Sequence, residues 1–162
     1  MFRDMRRKKQ QLSVEETAAI FERGTSGTLA LLGDDDYPYT VPISYVYLDD
    51  KIFFHSAKSG HKIDAIKKND KASFCVIDED NVISGEFTTY FRSAVAFGRI
   101  KIIEDDDIKH LTIQKLAEKY SSAHREGISE EINRVYNNFV MLELDIEHMT
   151  GKEAIELVRN RE

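Results

Sequence analysis

The strand-forming segments of this chain follow one another through short turns instead of alternating with helices. Residues 39–48 are rich in β-branched and aromatic side chains, and residues 52–57 form a similar segment after the tight connection 49–51. Strands are also predicted over 28–32, 71–78, 88–103 and 140–147. Consecutive strands joined by short turns pair antiparallel, whereas parallel strands need a longer crossover. The pattern therefore predicts a mainly β fold, an antiparallel barrel of about six strands with short helices at its ends.

Helix signals interrupt the strands at a few places. Ser13 and Glu16 stand at the spacing of a capping box, and Gly24 is placed to end the helix that they begin. Gly98 lies inside a long strand, where glycine indicates a bulge or a bend. Further helices are predicted over 60–69, after 105–107, after Ser129 as N-cap and over 150–161, with a polar loop over 80–87 and a mobile stretch over 121–127.

The size and charge of the chain limit its function. A length of 162 residues predicts a single domain, 1–162, in which residues 1–12 form an N-terminal arm. The net charge of -6 argues against nucleic-acid binding, although residues 6–9 are basic. No apolar run is long enough for a transmembrane helix, and no signal peptide is recognised. The single cysteine, Cys75, excludes an internal disulfide and fits a reducing compartment. From the charge, the apolar runs and the cysteine together, we expect a cytoplasmic protein without nucleic-acid or membrane contacts.

Residues 56–62 are the strongest candidate for an anion site. Ser56 and Ser59 offer hydroxyl donors, Lys58 and Lys62 offer full charges, and a helix that begins near Gly60 offers free backbone N–H groups. A flavin phosphate, with a charge of roughly -2, suits this set. The alternative is a capped surface helix with solvated lysines. No Walker A or GxGxxG pattern occurs in the chain, so neither a P-loop nor a Rossmann cofactor site is supported.

Three other residues stand in positions that need an explanation. Pro42 lies inside a strand and cannot donate a ladder hydrogen bond, which places it at an edge, at a bulge or against a ligand ring. His55 is either a structural histidine or a group that holds a reactant near physiological pH. Arg92 needs an acidic side chain as its partner, or else a phosphate or a substrate carboxylate. No spacing of histidine, cysteine and carboxylates predicts a metal site.

Several segments, taken together, resemble a known family. They are PYTVPISYVY, IFFHSAKSGHKIDAIKKND, ASFCVI, YFRSAVAFGRI and MTGK, and the resemblance covers roughly residues 5–155. The chain resembles the FMN-binding split-barrel family related to pyridoxamine 5'-phosphate oxidase, and more narrowly its nitroimidazole-resistance (Nim-type) subgroup. The resemblance implies a six-stranded antiparallel split β-barrel. It also implies a homodimer with FMN bound at the interface between the subunits.

The same resemblance assigns roles to individual residues. It implies that the edge of the flavin ring is lined by Val41, Pro42, Ile43 and Ser44, that the ring and the ribityl chain lie beside His55, Ser56 and Ala57, and that the phosphate is held by Lys58, His61 and Lys62. Arg92 and Ser93 would approach the same flavin from the second subunit. The resemblance places His55 on the substrate side of the flavin, as the catalytic residue.

The function implied by the resemblance is an FMN-dependent oxidoreductase. It would pass electrons from a reduced nicotinamide through FMN to a small acceptor, for example a nitroaromatic such as a 5-nitroimidazole. Vitamin B6 oxidation is not expected, because the arginine-rich phosphate motif and the C-terminal pyridoxal phosphate pattern are both missing. The alternatives are a haem protein with a histidine as axial ligand, a deazaflavin protein, or a flavin- or haem-binding sensor or store with little turnover.

Overall fold

The architecture is mainly β, as predicted. A computed structural model describes residues 1–161, and within them seven strands form one antiparallel sheet in the order β2–β1–β5–β6–β7–β4–β3. The strands are β1 (Gly27–Leu32), β2 (Pro38–Ile43), β3 (Val46–Leu48), β4 (Lys51–Ala57), β5 (Lys71–Ile83), β6 (Thr88–Ile102) and β7 (Phe139–Glu153).

The sheet has one strand more than predicted because the segment 39–48 divides into two. β2 and β3 are the opposite edges of the sheet, yet only Ser44 and Tyr45 separate them along the chain. The Cα atoms of Ile43 and Val46 therefore lie within about 11 Å of each other, the reach of three extended residues. The sheet must curl until its edges meet at this corner, which makes it a split barrel.

Tyr120 holds this corner in place from a neighbouring helix. The backbone N–H of Tyr45 donates to the Tyr120 hydroxyl oxygen at 2.9 Å. The same hydroxyl lies within donating distance of the carbonyl oxygens of Tyr45, at 2.9 Å, and Thr25. The Tyr45 ring is completely buried in the barrel. The backbone of the corner, which lies outside both strand ladders, thus finds its hydrogen-bond partners on one side chain.

Helices cover the ends and one side of the barrel. They are α1 (Val14–Arg23), α2 (His61–Lys68), α3 (Asp106–Tyr120), α4 (Arg125–Val135) and α5 (Ile155–Arg159). Both hydrogen bonds of the predicted capping box, between Ser13 and Glu16, are present at the start of α1. The prediction of Ser129 as an N-cap is wrong, because α4 begins at Arg125 without a side-chain cap and Ser129 lies inside it. No helix within residues 1–161 has the length and apolar character needed to cross a membrane.

The β5–β6 hairpin is longer than predicted, and it contains the predicted irregularity at Gly98. The segment 80–87 was predicted to be a loop, but β5 continues to Ile83 and β6 resumes at Thr88. The polar side chains there lack an alternating pattern because this part of the hairpin is largely exposed. The predicted irregularity at Gly98 is confirmed by a register shift between Phe97 and Gly98. A Cβ atom on Gly98 would lie only 1.9 Å from the Asp145 carbonyl oxygen, so this approach requires glycine.

β4 separates two hydrophobic cores. Phe54 packs inside the barrel, whereas Phe53 packs on the opposite face, against the layer formed by α3 and α4. Because side chains alternate along a strand, His55 and Ala57 continue the outer face and Ser56 points inward. The accessibilities agree, since Ser56 is buried and both of its neighbours are exposed.

Candidate functional site

The junction between β4 and α2 has the geometry of an anion site. Gly60 has a φ of 119°, a left-handed value that glycine adopts readily, and nothing lies within 4 Å of where its Cβ would be. No side chain caps α2. The first helical N–H group with a backbone acceptor is that of Asp64, which donates to Gly60 at 3.1 Å. Earlier N–H groups, those of His61 and Lys62 among them, are therefore available to an anion at the positive end of the helix dipole.

Two ammonium groups stand at this junction without a counterion. Lys62 is partly buried and Lys58 is exposed. Neither has a carboxylate oxygen within 4.0 Å in the described part of the chain. Burial lowers the pKa of Lys62 below its ordinary value. Burial of a cation without a partner costs folding free energy, and a bound anion would offset that cost.

A third ammonium group, which sequence reasoning missed, reaches the same end of β4 from α3. The Nζ atom of Lys109 lies 4.7 Å above the centroid of the Phe139 ring, and Phe139 is paired with Ala57, next to Lys58. The same atom donates to the Tyr136 carbonyl oxygen at 2.9 Å. Burial, and then the nearby charge of Lys58, lower the pKa of Lys109. No sequence signal marks Lys109, because its position depends on how α3 crosses the sheet.

His55 lies near these positively charged lysines. Its ring reaches solvent on the outer face of β4. Burial by surrounding protein, followed by the charge of Lys62, lowers the pKa of His55 from its ordinary 6.5. The imidazole is therefore mainly neutral at pH 7, with one nitrogen that donates and one that accepts.

The side chain of His61 turns away from the junction. Its ring stacks on Tyr39 with centroids 4.1 Å apart, and its Nε2 atom lies 3.8 Å from the Asp34 carboxylate. The same carboxylate accepts a hydrogen bond of 2.7 Å from Lys68. His61 can thus contribute its backbone N–H to the anion site, whereas its imidazole belongs to the β1–β2 turn.

The edge strand β2 presents its backbone and one row of side chains. Pro42 pairs with Thr28 of β1 on one side and has no strand on the other within residues 1–161, so it lies at an edge, one of the positions that the sequence left open. Val41 and Ile43 pack toward the barrel core, whereas Pro42 and Ser44 are exposed. A planar ring approaching this edge would therefore meet the exposed Pro42 and Ser44.

Arg92 is occupied by carboxylates of its own chain. Its guanidinium lies 3.3 Å from Glu153, 3.6 Å from Asp78 and 3.7 Å from Glu79. This confirms the acidic partner that the sequence left as one of two possibilities. Its buried Nε atom has no acceptor in residues 1–161. Ser93, the next residue, points to the opposite face of β6.

Within one chain, Ser93 and His55 lie far apart on the sheet. Ser93 pairs with Lys152 near one end of β7, whereas His55 pairs with Met141 near the other end. The eleven residue steps from Met141 to Lys152 span about 36 Å along the strand. Ser93 is therefore not part of the His55 region of its own chain.

The outer face of the barrel is largely uncharged, and part of it is covered by the Phe2 ring, which stacks on His148 with centroids 4.8 Å apart. Two adjacent rows of paired residues cross five neighbouring strands. One row contains Pro42, Thr28, Cys75, Val95 and Thr150, and the other contains Thr40, Ala30, Ser73, Phe97 and His148. Neither row includes a lysine, an arginine or a carboxylate. Outward-facing positions of an exposed antiparallel sheet are normally polar, whereas these rows mix small polar residues with apolar ones.

A family model described as pyridoxamine 5'-phosphate oxidase matches residues 13–153, most of the chain. The chain belongs to the pyridoxamine 5'-phosphate oxidase family. This confirms the family inferred from the sequence segments. No curated protein matches the chain at a significant level.

Solved structures agree with the family fold. A conserved hypothetical protein, Rv2991 of Mycobacterium tuberculosis, is 19% identical with a TM-score of 0.80, over 93% of this chain and 90% of its own. A candidate 5-nitroimidazole antibiotic resistance protein of Bacteroides thetaiotaomicron VPI-5482 is 18% identical with a TM-score of 0.72, over 88% and 86%. The FAD- and haem-binding protein of Mycobacterium smegmatis is 22% identical with a TM-score of 0.74, over 90% and 73%. At these identities the likeness shows the fold of the pyridoxamine 5'-phosphate oxidase family.

Proposed function

We propose that this protein binds FMN at the β4–α2 junction. The observation that carries the proposal is the partly buried ammonium group of Lys62, which has no counterion in residues 1–161 and stands beside free N–H groups of α2. A flavin phosphate carries roughly two negative charges, which match Lys58 and Lys62. Structural neighbours that bind FAD support a flavin in this fold.

The proposed activity is electron transfer from a reduced nicotinamide, through FMN, to a small acceptor such as a nitroaromatic. FMN, when bound, accepts and donates the hydride equivalents. The chain contributes position and charge: Lys58 and Lys62 neutralise the phosphate, and the β2 edge at Val41, Pro42 and Ile43 orients the ring. Likeness to the 5-nitroimidazole resistance protein supports a 5-nitroimidazole as one acceptor.

His55 is the residue that we assign to the acceptor. A neutral imidazole donates one hydrogen bond to an oxygen of the acceptor without adding a charge that FMN would have to tolerate. Ser56 lies on the other side of β4 and is buried, so it supports the strand or the ribityl chain rather than the acceptor.

We propose further that the protein is a homodimer with FMN between the subunits. A second copy would cover the two uncharged rows of the outer face, and it would bring its Ser93 toward the region that one chain leaves incomplete. Binding of a cofactor at such an interface stabilises the dimer through linkage. The single free cysteine, Cys75, suits the reducing cytoplasm, which is the compartment that we assign.

A second candidate is a haem- or flavin-binding module with little turnover. The observation that favours it is the likeness to the FAD- and haem-binding protein of Mycobacterium smegmatis. A Soret band in the purified protein would support this candidate, whereas flavin bands would support the first.

The test is a titration with FMN of the protein and of Lys62→Met. We expect equimolar binding with sub-micromolar affinity in the natural protein. In Lys62→Met we expect an increase in Kd of more than about tenfold, because a charge-assisted hydrogen bond is lost. The apo form of this variant should be at least as stable as the natural apo protein, since a poorly hydrated charge is gone.

Lys67→Met is the matched control, because Lys67 is an exposed lysine of the same helix. An unchanged Kd in Lys62→Met would exclude Lys62 from the phosphate site. A variant that is both less stable and unable to bind FMN would point to misfolding instead, and Lys62→Arg would then decide whether the charge or the fold matters.

A further inference from the structure

Lys109 carries an ammonium group that the fold holds in a fixed position. Its Nζ atom donates a hydrogen bond of 2.9 Å to the Tyr136 carbonyl oxygen. The same atom lies 4.1 Å from the centroid of the Tyr136 ring and 4.7 Å from that of Phe139, so two aromatic faces attract the charge. An ammonium group has three N–H donors, and the carbonyl uses one of them. Lys109 therefore has two donors left for a ligand.

No carboxylate within residues 1–161 lies close enough to neutralise this charge, since none has an oxygen within 4.0 Å of Lys109 Nζ. Asp106, one turn earlier on α3, accepts a hydrogen bond of 2.8 Å from the Tyr136 hydroxyl. The charge of Asp106 raises the pKa of Lys109 less than burial and the charge of Lys58 lower it. Lys109 is thus a partly buried cation without a counterion in the described chain, and an anion beside it would offset the cost of its burial.

Lys109 stands on the side of β4 that carries His55. Phe139, which the ammonium group overlies, is paired with Ala57, and paired residues share a face of the sheet. Phe139 belongs to the core beneath α3 and α4, on the outer face. His55 precedes Ala57 by two residues, so it lies on the same face about 7 Å along the strand. The side of the site that we assign to substrates therefore has a neutral imidazole and, further along, an ammonium group.

The charges of the proposed ligands indicate which of them Lys109 would bind. Lys58 and Lys62 already match the roughly two negative charges of a flavin phosphate. A nitroaromatic acceptor is uncharged and needs no ammonium group. A reduced nicotinamide dinucleotide carries a pyrophosphate, which a single ribose joins to the nicotinamide ring. A nicotinamide beside His55 would thus have its pyrophosphate at the end of β4 where Lys109 stands.

We propose that Lys109 binds the pyrophosphate of the reduced nicotinamide donor and so selects a dinucleotide as the donor. This inference rests on the proposed function, in which such a donor reduces FMN. The pyrophosphate takes no part in hydride transfer, so Lys109 contributes binding free energy and orientation to the donor, and nothing to the acceptor. It is a specificity residue for one of the two substrates.

The experiment compares NADH with a benzyl dihydronicotinamide, a donor that has the same reactive ring but no phosphate. Stopped-flow absorption measures the second-order rate constant of FMN reduction by each donor. In Lys109→Met we expect the ratio of the NADH constant to the benzyl constant to fall by about tenfold or more, because a charge-assisted hydrogen bond is lost. Lys109→Arg keeps the charge and should restore most of the ratio. Lys115→Met is the matched control, because Lys115 lies on the same helix and its ammonium group pairs with Glu118 at 3.1 Å.

A binding measurement without turnover gives the second readout. ADP-ribose contains the pyrophosphate but no nicotinamide, and calorimetry should show that its Kd for the FMN-loaded protein rises by a similar factor in Lys109→Met. An unchanged ratio of rate constants, or an unchanged Kd for ADP-ribose, would overturn the proposal. An equal loss of rate with both donors would overturn it too, since Lys109 would then be structural. A raised Kd for FMN would assign Lys109 to the flavin phosphate instead.

If the natural protein does not bind FMN, the proposed function falls, and a titration of the FMN-free chain with ADP-ribose still decides the role of Lys109. Weaker binding in Lys109→Met than in Lys62→Met would support a pyrophosphate site at Lys109. Equal binding in Lys109→Met and the natural protein, or no binding to either, would exclude that site.

Discussion

At the scale of single residues, the proposed chemistry depends on charges that have no partner within residues 1–161. In that part of the chain no carboxylate lies within 4.0 Å of Lys58 or Lys62, whereas Arg92 has three carboxylate neighbours. The sequence predicted which residues surround the anion site, because a strand end, a glycine and a helix start are adjacent along the chain. It could not predict that the His61 ring would stack on Tyr39, since that contact joins α2 to a separate hairpin.

The depressed pKa of His55 makes a prediction about pH. The folded protein binds a proton at His55 less readily than the unfolded chain, whose histidine titrates near 6.5. Stability should therefore fall as pH decreases through this value, and the free energy of unfolding of His55→Gln should fall less. Above the unfolded pKa the imidazole is neutral in both states, so His55 no longer makes stability depend on pH. Denaturant titrations between about pH 5 and 8 measure the difference.

The variant Lys62→Met tests why the pKa of His55 is lowered. Removal of the Lys62 charge should bring the His55 pKa, followed by NMR, closer to its ordinary value, because one of the two causes is gone. A His55 pKa at or above 6.5 in the natural protein would contradict the neutral imidazole on which its assigned role depends.

At the scale of elements, one ion pair joins α1 to β5. Arg23 donates two parallel hydrogen bonds of 2.6 Å to Asp78, which also faces Arg92. The hydrogen bond with Arg23, more than the other charges, lowers the pKa of Asp78. A fork of this kind fixes both distance and angle between the two elements.

Asp78→Asn should lower the free energy of unfolding at pH 7 by about 1–3 kcal/mol, because both arginines then lose a partly buried partner. The stabilisation by Asp78 is present above its unfolded pKa, 3.8, and is lost as pH falls through the lower folded value. Asp80→Asn, an exposed neighbour in the same strand, should change little. An equal loss in both variants at pH 7 would contradict the assignment.

Element boundaries were predictable where a local signal sets them. The capping box at Ser13 and the glycine at position 98 act on their own neighbours, and both were found from the sequence. The far end of the β5–β6 hairpin and the start of α4 at Arg125 were missed. That end of the hairpin buries little and so lacks a period of two, and α4 begins without a side-chain cap.

At the scale of the whole molecule, barrel closure depends on the corner between β2 and β3. The sequence predicted the class of fold, but it could not give the corner, because Ser44 and Tyr45 continue a strand-like pattern. Nor could it give the second partner of β4, which is β7, since no local signal joins residues 51–57 to residues 139–145. Such pairings are set by which faces can be buried together.

Tyr120→Phe tests this closure. The Tyr45 N–H and the Thr25 carbonyl would each lose a hydrogen-bond partner, so the free energy of unfolding should fall by about 1–3 kcal/mol. Tyr136→Phe is the control, because its hydroxyl donates to Asp106 at an exposed position. Denaturant unfolding measures both. If the two variants lose the same stability, the Tyr120 hydroxyl does not stabilise the corner specifically.

The place of β7 in the sheet has a consequence for how the chain folds during synthesis. β7 pairs with both β6 and β4, yet it is the last strand of the described chain to leave the ribosome. Until it arrives, the β3–β4 hairpin has no strand to join and the barrel cannot close. Folding must therefore await long-range pairing, which is slow and leaves strand edges exposed. A nascent chain of this protein should thus depend on chaperones until its final strand is complete.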